Sequence, residues 1–87
     1  GEEFIILLPE TSLEDACILA QRIWNSLTQR PTATSKLVLP IQVSIGVAGS
    51  SIEDEISLYK LIDQADQALY RAKDLGRNRI EVFKDQS

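Results

Sequence analysis

Two carboxylates, Glu2 and Glu3, stand side by side at the lip of an apolar run that continues as Phe4-Ile5-Ile6-Leu7-Leu8 and stops at Pro9. Such a run reads as a strand covered on both faces or nearly so. Acidic groups held against a core lose hydration, and that loss costs several kcal/mol unless a cation or hydrogen-bond donors offset it. A hard divalent ion such as Mg²⁺ meets the need, because it binds through oxygen and commonly takes one or two carboxylates completed by substrate phosphates. The same opening residues also read as a solvated acidic turn before a strand, and their types alone leave both readings open. Far along the chain, Lys73 and Arg77 are four positions apart, with Gly76 between them. A helix puts residues at that spacing on one side, although the glycine is expected to end the helix between them. Two cations beside a glycine turn can clamp nucleotide phosphates, Lys as a compact point charge and Arg as a planar fork. Positive charge in a last helical turn also serves the helix itself, complementing its carbonyl end by about 0.3–1 kcal/mol.

The elements that must position these groups follow from the hydrophobic period. Residues 3–8 read as the first strand, ended by a proline that cannot donate to a ladder. Thr11 and Ser12 offer caps, with Glu14 and Asp15 in the acidic first turn of a helix over 13–27. Leu13, Ala16, Cys17, Ala20, Ile23, Trp24 and Leu27 give it one apolar stripe, which places Cys17 in the core as a small buried residue. Residues 28–37 are a polar loop without a period. Over 41–47 apolar and small or polar residues alternate, the pattern of a strand. Gly46 inside it marks a bulge or a close backbone approach, and the latter fits a helix crossing the sheet. The acidic run Glu53-Asp54-Glu55 follows in a connection and reads as solvated charge rather than as a ligand set. Ser57 caps a second helix whose stripe is Leu58, Leu61, Ile62, Ala65, Ala68, Leu69, Ala72 and Leu75. A short strand over 79–83 closes an order β-α-β-α-β, an α/β layered sandwich with helices packed on a central sheet.

Composition narrows the function classes. Eighty-seven residues, 44% apolar and 25% charged, make one small soluble-type domain. No apolar run approaches the roughly 20 residues that span a bilayer. A net charge of −4 argues against binding a nucleic-acid polymer, yet leaves room for a mononucleotide, which needs only a few basic groups at one point. With no His, a histidine triad or a His-bound zinc is ruled out within these residues, and the single Cys17 forms no internal disulfide.

Three segments together resemble one family. The stretch Ala65-Asp66-Gln67-Ala68-Leu69-Tyr70-Arg71-Ala72-Lys73-Asp74-Leu75-Gly76-Arg77-Asn78 is similar to the A-D-x-A-L-Y-x-A-K-x-x-G-R-N pattern of GGDEF-domain diguanylate cyclases. Val43-Ser44-Ile45-Gly46-Val47-Ala48 resembles that family's V-S-x-G-[VI]-A segment. Gly1-Glu2-Glu3-Phe4 looks like the last four letters of its G-G-[DE]-E-F signature. The resemblance implies a partial nucleotidyl-cyclase-like palm fold, with residues 1–87 as the C-terminal half of one GGDEF domain and the N-terminal half outside the chain. The lack of Met and the signature truncated at residue 1 agree with a piece of a longer polypeptide.

The resemblance also implies roles. Glu2 falls on the catalytic, Mg²⁺-binding (or Mn²⁺-binding) carboxylate and Glu3 on a position linked to the metal. Gly1 falls on the glycine that lets backbone and nucleotide approach, and Lys73 and Arg77 on the groups contacting GTP phosphates. The implied reaction joins two GTP into cyclic di-GMP in a homodimer, in the bacterial cytoplasm, with no direct membrane contact from this segment. The family's other metal-binding Asp, its guanine-recognising Asn and Asp, and its R-x-x-D inhibition motif lie upstream of the signature, so the chain alone is expected to be inactive. The alternative is a GGDEF-like module that binds GTP, cyclic di-GMP or a protein partner without turnover.

Overall fold

In a computed structural model of the chain, residues 1–28, 42–50 and 56–84 are described. They form strand β1 (Glu2–Leu8), helix α1 (Leu13–Thr28), strand β2 (Val43–Gly49), helix α2 (Leu58–Asp74) and strand β3 (Ile80–Val82). The order is the expected β-α-β-α-β. The polar loop beyond residue 28 and the acidic run Glu53-Asp54-Glu55 lie outside the described residues.

The strands make one parallel sheet in the order β1-β2-β3. Glu2 stands opposite Val43 and Leu8 opposite Gly49, while Ile45 faces Ile80 across the other ladder. β2 is the central strand, and Val43 to Ala48 are all buried. Strand alternation divides its side chains between two cores. Val43, Ile45 and Val47 pack with Ala20, Trp24 and Leu27 of α1, and with Ile6, Leu8, Ile80 and Val82. Ala48 packs on the other face with Leu61 and Ala65 of α2 and with Leu7, Ile56 and Phe83. The two helices therefore cover opposite faces of the sheet. Both starts are capped as the sequence suggests: the Asp15 amide donates to Ser12 Oγ at 3.2 Å and the Lys60 amide to Ser57 Oγ at 3.2 Å.

Two expectations are corrected. Among the described residues β1 pairs on one side only, with β2, and it is not covered on both faces: Glu2 to Ile5 are exposed and Ile6 to Leu8 half-buried. Phe4, on the α1 face, is 41% exposed because α1 lies over β2 and β3 rather than over β1, and Ile5, on the α2 face, is 39% exposed. Cys17, expected in the core, is exposed. The contact arc of α1 is narrow and centres on Ala16 and Ala20, both buried. A residue turned about 100° from Ala16 by the helical repeat falls outside it unless long enough to reach back. Trp24 is long enough, and its indole N–H donates to the Val43 carbonyl at 3.1 Å.

Gly46 is where α2 meets the sheet. A Cβ built there would lie 2.2 Å from the Ala65 carbonyl oxygen and 2.2 Å from the Leu69 amide nitrogen. Both are helix backbone atoms, which cannot swing aside as a side-chain tip can. The close approach expected from the sequence is thus present. Gly46→Ala must push α2 off the sheet and is expected to lower stability by about 3 kcal/mol or more, the upper range for overpacking. Urea unfolding of the variant checks this, and an unchanged midpoint would show that the contact is looser than described.

Candidate functional site

The candidate site forms at the rim where β1 and β2 begin and α2 ends. Glu3 lies on the face of β1 that also carries Ile5 and Leu7, beneath α2. Because α2 rests directly on Gly46, its last turn passes close enough to β1 for Lys73 to reach down. Lys73 Nζ stands 3.2 Å from Glu3 Oε1, and Arg77 Nη1 stands 3.4 Å from Glu3 Oε2. One carboxylate thus holds two cations, one on each oxygen. The side chains of Glu3, Lys73 and Arg77 are 40%, 34% and 58% exposed, so a ligand arriving from solvent can reach all of them.

Arg77 reaches Glu3 from an unusual backbone. The helix ends with the Leu75 amide donating to the Arg71 carbonyl, Gly76 to Lys73 and Arg77 to Ala72. Three consecutive residues then have positive φ: Gly76 at 118°, Arg77 at 62° and Asn78 at 48°. Glycine adopts this region freely and asparagine tolerates it, whereas arginine has no such preference. The turn is fastened to β2. The Asn78 amide donates to Ser44 Oγ at 3.0 Å, and the Val43 amide donates to Asn78 Oδ1 at 3.3 Å. Arg79 Nη1 donates to the Leu75 carbonyl at 3.1 Å and its Nε pairs with Glu81 at 3.3 Å.

Of the sequence-predicted site residues, the structure therefore brings together Glu3, Lys73 and Arg77. Glu2 is exposed, and strand alternation turns it to the opposite face, the one that carries Ile6 and α1. Among the described residues Glu2 has no ion-pair partner. Gly1 is exposed, and a Cβ there would meet the Gln42 carbonyl at an ordinary 3.5 Å, so the chain's own packing does not demand glycine. Asp66 and Tyr70 are exposed on the outer side of α2. Sequence reasoning assigned no role to Asn78 or Ser44. The available signals were an asparagine directly after Gly-Arg, the residue type that accepts a left-handed backbone, and a lone hydroxyl in an otherwise apolar central strand. Ser44, 4% exposed, is the buried polar side chain among the described residues.

Chemically, the rim offers a pair of cations preset around an anion. Among the described residues no group of three or more acidic or sulfur ligands converges as a metal cage. Glu2 is the carboxylate at the rim without an ion-pair partner among the described residues, while Glu3 is held by Lys73 and Arg77. Half-exposed ion pairs contribute little to folding, about 0–1 kcal/mol each. Glu3→Gln, which removes both pairs, is therefore expected to change unfolding free energy by less than about 2 kcal/mol, an effect that shrinks as salt rises. Denaturant titrations at low and high ionic strength check this, and a salt-independent loss well above that range would make the cluster a folding element instead.

Comparison with known proteins follows the same residues. The family profile described as "Diguanylate cyclase, GGDEF domain" matches residues 1–79. The chain is similar to diguanylate cyclase A of Treponema denticola, with 35% identity over 98% of this chain and 23% of the relative's length. It is 46% identical to diguanylate cyclase DgcM of Escherichia coli over 92% of this chain and 18% of that protein. It is 35% identical to the response regulator PleD of Caulobacter vibrioides, again over 92% of this chain and 18% of that protein. The chain thus spans less than a quarter of the length of these relatives. No solved structure matches it significantly.

Proposed function

This chain belongs to the GGDEF-domain diguanylate cyclase family, and from that membership we propose that it is the C-terminal half of a domain that condenses two GTP molecules into cyclic di-GMP. The observation that carries the reading is the half-exposed pair of cations, Lys73 and Arg77, held on the two oxygens of Glu3 at the sheet rim. A triphosphate presents the same kind of oxygens as that carboxylate, with more charge. Arg77 would bind two phosphate oxygens as a fork and Lys73 would neutralise charge as a mobile point. Glu2 and Glu3 are consecutive at the rim, so a triphosphate lying across it meets the cations on one face and Glu2 on the other.

The proposed reaction is a double displacement. Each GTP's 3′-hydroxyl oxygen bonds to the partner GTP's α-phosphorus as the bond to pyrophosphate breaks and the hydroxyl proton leaves. Two GTP-loaded domains must face one another for this, which makes the working unit a homodimer, at least transiently. Mg²⁺, or Mn²⁺, held by Glu2 with a contribution from Glu3, would supply charge neutralisation and lower the pKa of the attacking hydroxyl. What these residues do themselves is bind and orient. In-line placement of the hydroxyl and the α-phosphate is worth orders of magnitude in rate, and the two cations fix the far end of the triphosphate. Among the described residues no helix is long and apolar enough to cross a membrane. We place the segment in the cytoplasm, where GTP is found.

One observation favours a second reading. Glu2 and Glu3 point to opposite faces of β1, with Glu3 turned to the cations and Glu2 away from them. A module that binds GTP or cyclic di-GMP for signalling needs the cations but no metal-assisted step. Turnover separates the two. In the full-length protein supplied with Mg²⁺ and GTP, Glu2→Gln is expected to abolish cyclic di-GMP formation with the fold unchanged. Undiminished product would remove Glu2 from the mechanism, and no product from the wild-type protein would favour the binding module. Arg77→Ala is expected to raise KM for GTP about tenfold or more, as for loss of a hydrogen bond to a charged group. Residues 1–87 alone are expected to form no product under the same assay.

A further inference from the structure

Arg77 holds a left-handed backbone, with φ at 62°, that its own side chain does not favour. Something must hold it there. On the helix side the Gly76 amide donates to the Lys73 carbonyl and the Arg77 amide to the Ala72 carbonyl, which closes the helix end. On the strand side the turn is fastened at Asn78. Parallel pairing of β2 with β3 runs from Ile45 opposite Ile80 to Val47 opposite Val82. The Ile45 amide donates to the Arg79 carbonyl at 3.0 Å, the last backbone bond of that ladder toward the rim. Two residues earlier on β2, the Val43 amide donates instead to Asn78 Oδ1. The side-chain carbonyl of Asn78 thus stands where a strand carbonyl would continue the ladder. With Asn78 in place Val43 is 1% exposed, so its N–H is satisfied by the Asn78 side chain rather than by bulk water. The Asn78 amide completes the tie on Ser44 Oγ, itself buried.

We propose that Asn78 is a positioning residue for Arg77: by replacing a ladder carbonyl at the start of β2, it locks the turn that aims the guanidinium at the phosphate-binding rim. The inference rests on the reading of Arg77 as a phosphate ligand. It adds a residue that touches no ligand and acts only through its neighbour. Backbone held in sparsely populated regions persists where the surrounding structure over-determines it, and such places cluster at ligand clamps. Here the over-determination has named parts: the Val43 N–H donates to the Asn78 side-chain carbonyl, the one bond that needs asparagine, and the Asn78 backbone N–H donates to Ser44 Oγ.

The test uses the full-length protein and a GTP analogue with a methylene in place of the α–β bridging oxygen, titrated calorimetrically. Asn78→Gly is the informative variant, because glycine keeps the left-handed backbone and removes the side-chain tie. Both Asn78→Gly and Asn78→Ala are expected to weaken binding about tenfold, close to the effect of Arg77→Ala. The double variant Arg77→Ala/Asn78→Ala is expected to bind no more weakly than Arg77→Ala alone, since residues acting through one contact are not additive. Full affinity in Asn78→Gly, or additive losses in the double variant, would overturn the proposal. A second readout needs no ligand: solvent exchange of the Arg77 guanidinium protons by NMR. It is expected to be slowed in the wild type by the Glu3 pair and to rise in Asn78→Gly to the rate seen in Glu3→Gln. Unchanged exchange overturns the positioning role. If Arg77→Ala leaves affinity untouched, the phosphate reading fails, and the exchange measurement still decides the role of Asn78.

Discussion

The arrangement of this domain turns on a single backbone contact, the seat of α2 on Gly46. With the helix backbone 2.2 Å from where a Cβ would be, the α2 axis lies as near the sheet as chain geometry allows. That proximity explains why the buried face of α2 is so small-sided, with Ala65, Ala68 and Ala72 spaced along it and Leu61 at the start. It also explains why a charged group from the last turn reaches β1 at all. A helix held further from the sheet by larger side chains would carry Lys73 away from Glu3. The ion cluster at the rim is thus a consequence of packing in the middle of the sheet, on the buried central strand.

Much of this was legible in the sequence, and the illegible parts share a cause. The two helices and their caps are local matters: a 3.6-residue period, a serine before each run, and a glycine just past the second helix. Gly46 was legible too, because a glycine inside a strand pattern has few explanations. What was misread depends on neighbours that a local pattern does not reveal. The run Ile5 to Leu8 has the composition of a doubly covered strand, yet among the described residues α1 lies over β2 and β3, so Phe4 stays exposed on that face, and Ile5 is 39% exposed on the other. Cys17 fits the apolar stripe of α1, but the width of the arc that touches the sheet is set by tertiary packing.

At the candidate site the division is similar. Type and spacing singled out Lys73 and Arg77 without choosing between a helix-end charge and a phosphate clamp, the resemblance pointed to the clamp, and the structure sets both on a common partner. The identity of that partner within the Glu2-Glu3 pair depends on strand alternation and on which face α2 occupies, a fact about topology. Asn78 was quoted as part of a pattern but had no physical role until its bonds to Val43 and Ser44 were seen. Nothing local distinguishes an asparagine that finishes a turn from one that also substitutes for a strand carbonyl thirty-five residues away.

The energetics of the rim point the same way as its geometry. Three half-exposed ionic side chains return about 0–1 kcal/mol per pair to folding. Holding Arg77 in a left-handed backbone works against that return, at a cost on the order of 1 kcal/mol. Stability alone would favour a residue at ease in that conformation, such as a second glycine or asparagine, with nothing lost from the core. A cation placed there instead, on a turn tied to the central strand and facing solvent across a carboxylate, is intelligible as a group kept for an anion that arrives from outside. The overall charge of −4 sharpens the argument. In a chain that repels anions on average, the Lys73–Arg77 rim is a place where positive charge is concentrated and held.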